Sequence, residues 1–220
     1  MKLTKEYIYE QIQKMSGIEL INFKEEKKHI EFILSICCTS QINDAKFLLN
    51  YKIAVLIPND YPHTLPKCYE YGEKKIISYH HLFSDSNNSF CLGTEMDLRL
   101  RLIPDYSLSI YFAMILDFLT IYEYFTRYGI MPLVERSHGD IGILESYRNI
   151  FSVHNLTVIV GLLALIPVKN KDKNLKCPCG SNKKFKYCHY NILKKLSASR
   201  LLFEQSKKDL ELLMKVRGQI

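Results

Sequence analysis

The sequence predicts an α+β fold, an antiparallel meander sheet with one helix before it and helices after it, and three observations predict it. The first fifteen residues have a helical period, several strand-like segments separated by polar turns follow, and the helical period returns near residue 107. A run of strands followed by a run of helices places the helices against one sheet rather than in alternating βαβ units. With 220 residues and 47% hydrophobic content, the chain can fill one main core and carry a small appendage.

The elements follow in order. Tyr7, Ile8, Ile12 and Met15 share one helical face, with Thr4 placed to cap a first helix over residues 4–15. Strands are predicted over 19–23, 29–37 and 47–57, each rich in β-branched or aromatic residues and divided by turns such as 24–28. A fourth strand is expected near 67–71, after a loop carrying Pro58, Pro62 and Pro66. From 107 to 128 the residues Ile110, Met114, Phe118, Ile121 and Phe125 predict a long helix. The run 135–140 reads as a helix start with Asp140 near the cap. The most apolar stretch, 157–168, is about twelve residues, short of the ~20 that span a bilayer, so it reads as a buried element.

Charge divides the chain. Residues 169–220 carry 14 lysines and arginines against 4 acidic residues, while residues 1–168 carry 16 against 19. The basic character therefore belongs to the tail. Residues 169–176 are polar and lysine-rich, as an exposed linker would be. Four segments are expected: a main domain over 1–168, a basic linker over 169–176, a metal module over 177–190 and an amphipathic helix over 191–220. On that last helix Leu196, Leu201, Leu202, Leu210, Leu213 and Met214 form an apolar stripe. The N-terminus has no continuous apolar segment of the signal-peptide kind, so a cytoplasmic protein without a membrane role is expected. In that compartment thiols stay reduced, and the seven cysteines direct attention to metal ligation and catalysis.

The sharpest motif is Cys177, Cys179, Cys188 and His189, spaced C-x-C-x8-C-H. Zinc takes four soft or borderline ligands in a tetrahedron and binds cysteine as thiolate. Two ligands one residue apart can grip from a tight turn, and Gly180 allows the backbone to reverse after them. With all four positions filled by protein, the expected zinc is structural, and its binding supplies most of the folding free energy of so short a segment. The segment closely resembles the SEC-C motif, a zinc-binding docking module appended to many bacterial proteins.

A second constellation surrounds Cys91. Tyr61-Pro62 and Pro66 follow a strand, His81 stands ten residues before Cys91, and Leu92 follows it. This arrangement resembles the ubiquitin-conjugating (UBC) family, over roughly residues 1–150. The resemblance implies a thioester formed on Cys91, with His81 in the flap beside it, and transfer of the acyl group to an amine, usually a lysine. Taken with the SEC-C module, the chain resembles the stand-alone conjugating enzymes of cyclic-oligonucleotide (CBASS) antiphage operons. That resemblance implies a cyclic-nucleotide synthase, attacked at its C-terminus, as the partner, with an unidentified acceptor protein. The sequence departs from the UBC pattern at Leu82-Phe83, where the family has Pro-Asn. Asn87 and Asn88 are the nearby asparagines, and asparagine in a turn commonly serves its own backbone.

Blander readings stand beside these. Cys91 by itself can be a packed core cysteine, His80 is read as solvent-facing, and His81 either braces the flap or acts as a base. Two other classes of function stay open: a non-catalytic UBC-like adaptor that holds a partner's tail, and a zinc-dependent protein binding nucleic acid weakly. For the latter, Lys183, Lys184 and Lys186 would contact phosphates while Phe185 and Tyr187 stack on bases.

Overall fold

The structure, a computed structural model, describes residues 3–103 and 105–217. Two compact units make up the chain: Met1–Gly93 with Arg101–Glu135, and Thr94–Leu100 with Arg136–Ile220.

The first unit is built on a four-stranded antiparallel sheet in the order β1-β2-β3-β4, with β1 Ile18–Glu25, β2 His29–Ile42, β3 Ala45–Pro58 and β4 Lys67–Glu70. Helix α1 (Lys5–Gln13) precedes it, and the expected Thr4 cap forms: its hydroxyl accepts the Tyr7 amide at 3.2 Å. Gly17, at φ +75°, turns the chain from α1 into β1, and a Cβ there would stand 2.5 Å from the Cys37 carbonyl oxygen. Only glycine fits that approach. β2 and β3 run 14 residues each and pair over their full length, from His29↔Pro58 to Ile42↔Ala45. Both exceed the predicted strands because Asn43 and Asp44 take left-handed φ values of 47° and 62° and close a two-residue hairpin.

Helix α3 (Leu108–Tyr128) packs on β2, β3 and α1. It is long and apolar enough to cross a membrane by composition, but its apolar face covers the sheet. That face is Leu108, Tyr111, Phe112, Ile115 and Leu119 together with Met114 and Phe118. The predicted Ile110, Ile121 and Phe125 flank it and are only half-buried. Phe32 of β2 meets Phe112 edge-on, with centroids 6.0 Å apart, and marks the centre of this core. Burying an aromatic or large aliphatic side chain contributes roughly 1.5–3 kcal/mol, so this seam dominates the unit's stability.

The second unit is helical. It holds α4 (Gly139–Phe151), α5 (Leu156–Ala164), α6 (Tyr190–Ala198) and α7 (Arg200–Arg217). Also in it are residues 95–100 of α2 (Glu95–Leu102), a helix not among the expected elements. The segment 157–168 is largely α5, and α4 begins at Gly139 with Asp140 in its first turn, as expected. Both pack on α7. They therefore cluster with the cysteine-rich segment, whereas the sequence grouped everything up to residue 168 with the sheet. The polar stretch 169–176 contains a 3-10 turn, Asn170–Asn174. The amphipathic segment 191–220 divides at Ser199 into α6 and α7.

The buried face of α7 also differs from the leucine stripe. Leu202 and Leu213 are buried, but between them lie Gln205, Ser206 and Asp209, all below 7% exposure. Asp209 accepts hydrogen bonds from the Tyr147 hydroxyl and the Gln205 amide, each at 2.9 Å. Ser206 donates to the Leu202 carbonyl at 2.8 Å. These bonds offset most of the cost of burying the polar atoms, and Gln205 Oε1 is left buried without a partner.

Candidate functional site

Two constellations of functional side chains are in place. In the second unit, residues 175–185 form a tight reversal: the Cys177 amide donates to the Lys183 carbonyl and the Phe185 amide to the Leu175 carbonyl, both at 2.8 Å. Gly180 at φ +83° makes the turn after the first two cysteines. A 3-10 turn, Phe185–Tyr187, then delivers Cys188, and His189 sits at the start of α6. Phe185 is buried and packs edge-on against Tyr190, with centroids 5.5 Å apart, which anchors the reversal to α6.

This folding brings the four predicted ligands together, with their ligand atoms all within 4.8 Å of one another. His189 Nδ1 lies 3.2 Å from both Cys177 Sγ and Cys188 Sγ, and Cys179 Sγ lies 3.5 Å from Cys188 Sγ. Four ligands at about 2.0–2.3 Å from one tetrahedral ion would stand about 3.3–3.8 Å apart, so the donor set and its spacing fit a metal ion. The other ring nitrogen, Nε2, donates to the Phe151 carbonyl at 2.7 Å. A carbonyl only accepts, so Nε2 carries the hydrogen and Nδ1 presents its lone pair to the sulfurs. Burial pushes the Cys177 thiol up. Burial acts in the same direction on Cys179, but the Ser181 hydroxyl and amide and the neighbouring sulfurs outweigh it and bring that thiol down. Neither Phe151 nor Ser181 was foreseen as a supporting partner. Nothing in the spacing of the ligands pointed to Phe151, and Ser181 lies inside the motif itself.

In the first unit, Cys91 is placed by its neighbours. Phe90 is buried, stacks on Phe118 of α3 with centroids 4.3 Å apart, and donates its amide to the Cys68 carbonyl of β4 at 2.8 Å. Leu82 and Phe90 form an antiparallel bridge, and the Cys91 amide donates to the His81 carbonyl at 2.8 Å. The two segments that carry His81 and Cys91 are thus tied together, and a His81 ring nitrogen lies within 4.8 Å of Cys91 Sγ. Cys91 is half-buried. Burial pushes its thiol up, and a hydrogen bond from the Gly93 amide only partly opposes this.

The loop 84–88 is organised by Asp85. Its carboxylate accepts the Ser89 amide at 2.9 Å, the Ser89 hydroxyl at 2.5 Å and the Lys67 ammonium at 3.3 Å. Burial opposes its ionisation, but these donors prevail and hold it at about 2. Asn88 takes a left-handed φ of 53°, the backbone role expected of asparagine in a turn. A groove of about 240 Å³ lies along this region, lined by Lys74, Ile76, Ser78, Leu82, Asn88 and Phe90. His80 is partly exposed, as read from the sequence, but pairs with Glu135 at 2.5 Å, a partner 55 positions away that no local pattern reveals.

A SEC-C motif is matched over residues 174–191, the segment holding all four ligands. No curated protein and no solved structure matches the chain.

Proposed function

We propose that the chain is a cysteine acyltransferase of the ubiquitin-conjugating type, in which Cys91 accepts the C-terminal acyl group of a partner protein and passes it to an amine. The observation that carries this reading is the pairing of Cys91 with His81 on two segments stitched together by the Leu82↔Phe90 bridge. Further support comes from the meander order β1-β2-β3-β4 with a helix before it and a long helix across it, the arrangement that the UBC resemblance implies.

The chemistry follows from the thiol's environment. Burial keeps the Cys91 thiol protonated at neutral pH, so attack needs a base, and the His81 imidazole is the near one. The thiolate adds to the carbonyl of an already activated acyl donor, the donor's leaving group departs, and a thioester remains on Cys91. An amine then adds to the thioester carbonyl, loses a proton and expels the Cys91 thiolate, leaving an amide. The groove lined by Leu82 and Phe90, the chain neighbours of His81 and Cys91, is where this reading seats the end of the partner's tail. Following the resemblance to CBASS conjugating enzymes, the donor is a cyclic-nucleotide synthase and the setting is antiphage defence in the cytoplasm.

The ion held by Cys177, Cys179, Cys188 and His189 is zinc in this reading, closed to water and structural. The test of the whole is direct: purified chain is incubated with the activated donor and run on non-reducing gels. A thiol-sensitive adduct that disappears in Cys91→Ala supports the transferase. Binding of the tail with no adduct in the wild-type chain identifies the non-catalytic adaptor instead, a reading favoured by the raised Cys91 thiol.

A further inference from the structure

Apart from the cysteine cluster, three side chains of the first unit converge on one point. His80 Nε2 lies 2.5 Å and His81 Nε2 3.6 Å from the same oxygen, Oε1 of Glu135, and ligand atoms of all three residues lie within 4.8 Å of one another. An ordinary hydrogen bond accounts for the shorter contact. His81 Nε2, at 3.6 Å, lies beyond direct hydrogen-bond reach of that oxygen. The two rings nevertheless lie with centroids 4.5 Å apart. Tyr79 packs against both, at 4.8 Å and 5.4 Å, and Phe125 against His80 at 5.6 Å, so an aromatic wall presets their directions.

We propose that His80, His81 and Glu135 form a second metal site, for a borderline divalent transition ion such as Zn²⁺ or Co²⁺. Two imidazole nitrogens with one carboxylate oxygen are a donor set such ions favour. Ligands at about 2.0–2.2 Å from an ion stand about 2.8–3.6 Å apart at octahedral or tetrahedral angles. Of the two His–Glu separations, 3.6 Å falls at the upper end of that range and 2.5 Å just below it, so each of these pairs needs to shift only by fractions of an ångström. A divalent ion also accommodates two neutral imidazoles side by side, where two protons would repel. With side-chain exposures of 37%, 17% and 41%, the ion would keep water ligands and exchange readily, unlike one in a closed four-ligand cluster.

The site does not depend on Cys91 being a nucleophile. An imidazole bound to an ion through Nε2 is no longer a base, so a filled site and the role of His81 in acyl transfer exclude one another, and the experiment keeps the two apart. Full-length protein, loaded with one equivalent of zinc and freed of excess, is titrated with zinc and weighed by native mass spectrometry. The wild-type chain takes a second ion. His80→Ala and Glu135→Gln keep the first ion and their circular dichroism but bind the second at least tenfold more weakly. Cys91→Ala, which abolishes any thioester, keeps both. A wild-type chain that stops at one ion overturns the site, as does a second ion retained in the His80→Ala, Glu135→Gln double variant. Loss of the second ion in Cys91→Ala would overturn the ligand set.

Discussion

The cysteine cluster and the Cys91 region use the same chemical element in opposite ways. Around the cluster, three sulfurs and an imidazole from a stretch of thirteen residues bring their ligand atoms within 4.8 Å of one another. Around Cys91, a single half-buried sulfur is placed through Phe90, which is tied to β4 and α3, and through its own amide, which donates to His81. The difference teaches that a closed ligand set can be written in one short segment, whereas a nucleophile's surroundings must be collected from across a fold.

The largest expected effect breaks the cluster. Stripping its ion with a chelator, or replacing Cys188 by serine, should unfold residues 175–189, since apparent zinc-binding energies of isolated fingers are about 10–16 kcal/mol. Limited proteolysis with and without chelator reads this as new cleavage between Lys176 and Lys186; unchanged resistance would count against a structural ion. On the other side of the comparison, Cys91→Ala should remove the thioester entirely while leaving the melting temperature within a few degrees of wild type. His81→Ala should slow thioester formation by about 10²–10⁴-fold, the usual range for a lost general base. An unchanged rate across pH 6–9 in that variant would reduce His81 to a brace.

Two smaller effects sharpen the contrast through pH. Burial raises Asp209 to about 6 from an ordinary 3.8. Its protonated form is therefore favoured in the folded chain, and its contribution is full below about 3.8 and lost as pH rises through 6. A shift of that size corresponds to about 3 kcal/mol. Asp209→Asn should flatten thermal stability between pH 4 and 7, and a slope identical to wild type would refute the assignment. Asp85 has the opposite sign: held at about 2, it stabilises the loop above 3.8 and loses that contribution as pH falls through 2. Asp85→Ala should quicken hydrogen exchange at the Ser89 and Cys91 amides, with little change in global stability.

Much of this was legible in the sequence, for identifiable reasons. The Thr4 cap, the meander and the four ligands are encoded by residues close in sequence, where spacing alone carries the geometry. The hairpin at Asn43-Asp44 was also readable, since both residue types tolerate left-handed φ, and reading it would have lengthened β2 and β3 correctly. Helix α2 was missed because Glu95–Leu102 has too weak an apolar face to announce itself. The buried face of α7 was misjudged for a different reason: leucine spacing pointed to a plain apolar stripe, but Asp209 and Gln205 are buried by virtue of Tyr147, which lies on another helix. Glu135 beside His80 is likewise a tertiary fact.

The single hydrogen bond from His189 to the Phe151 carbonyl would extend the reach of an ion bound at the cluster. That carbonyl belongs to the last residue of α4, so the imidazole placed as a ligand also meets the end of a helix 38 positions earlier. Demetallation should therefore fray α4 at its C-terminal turn, and a spectroscopic label at residue 152 would report on an ion it never touches.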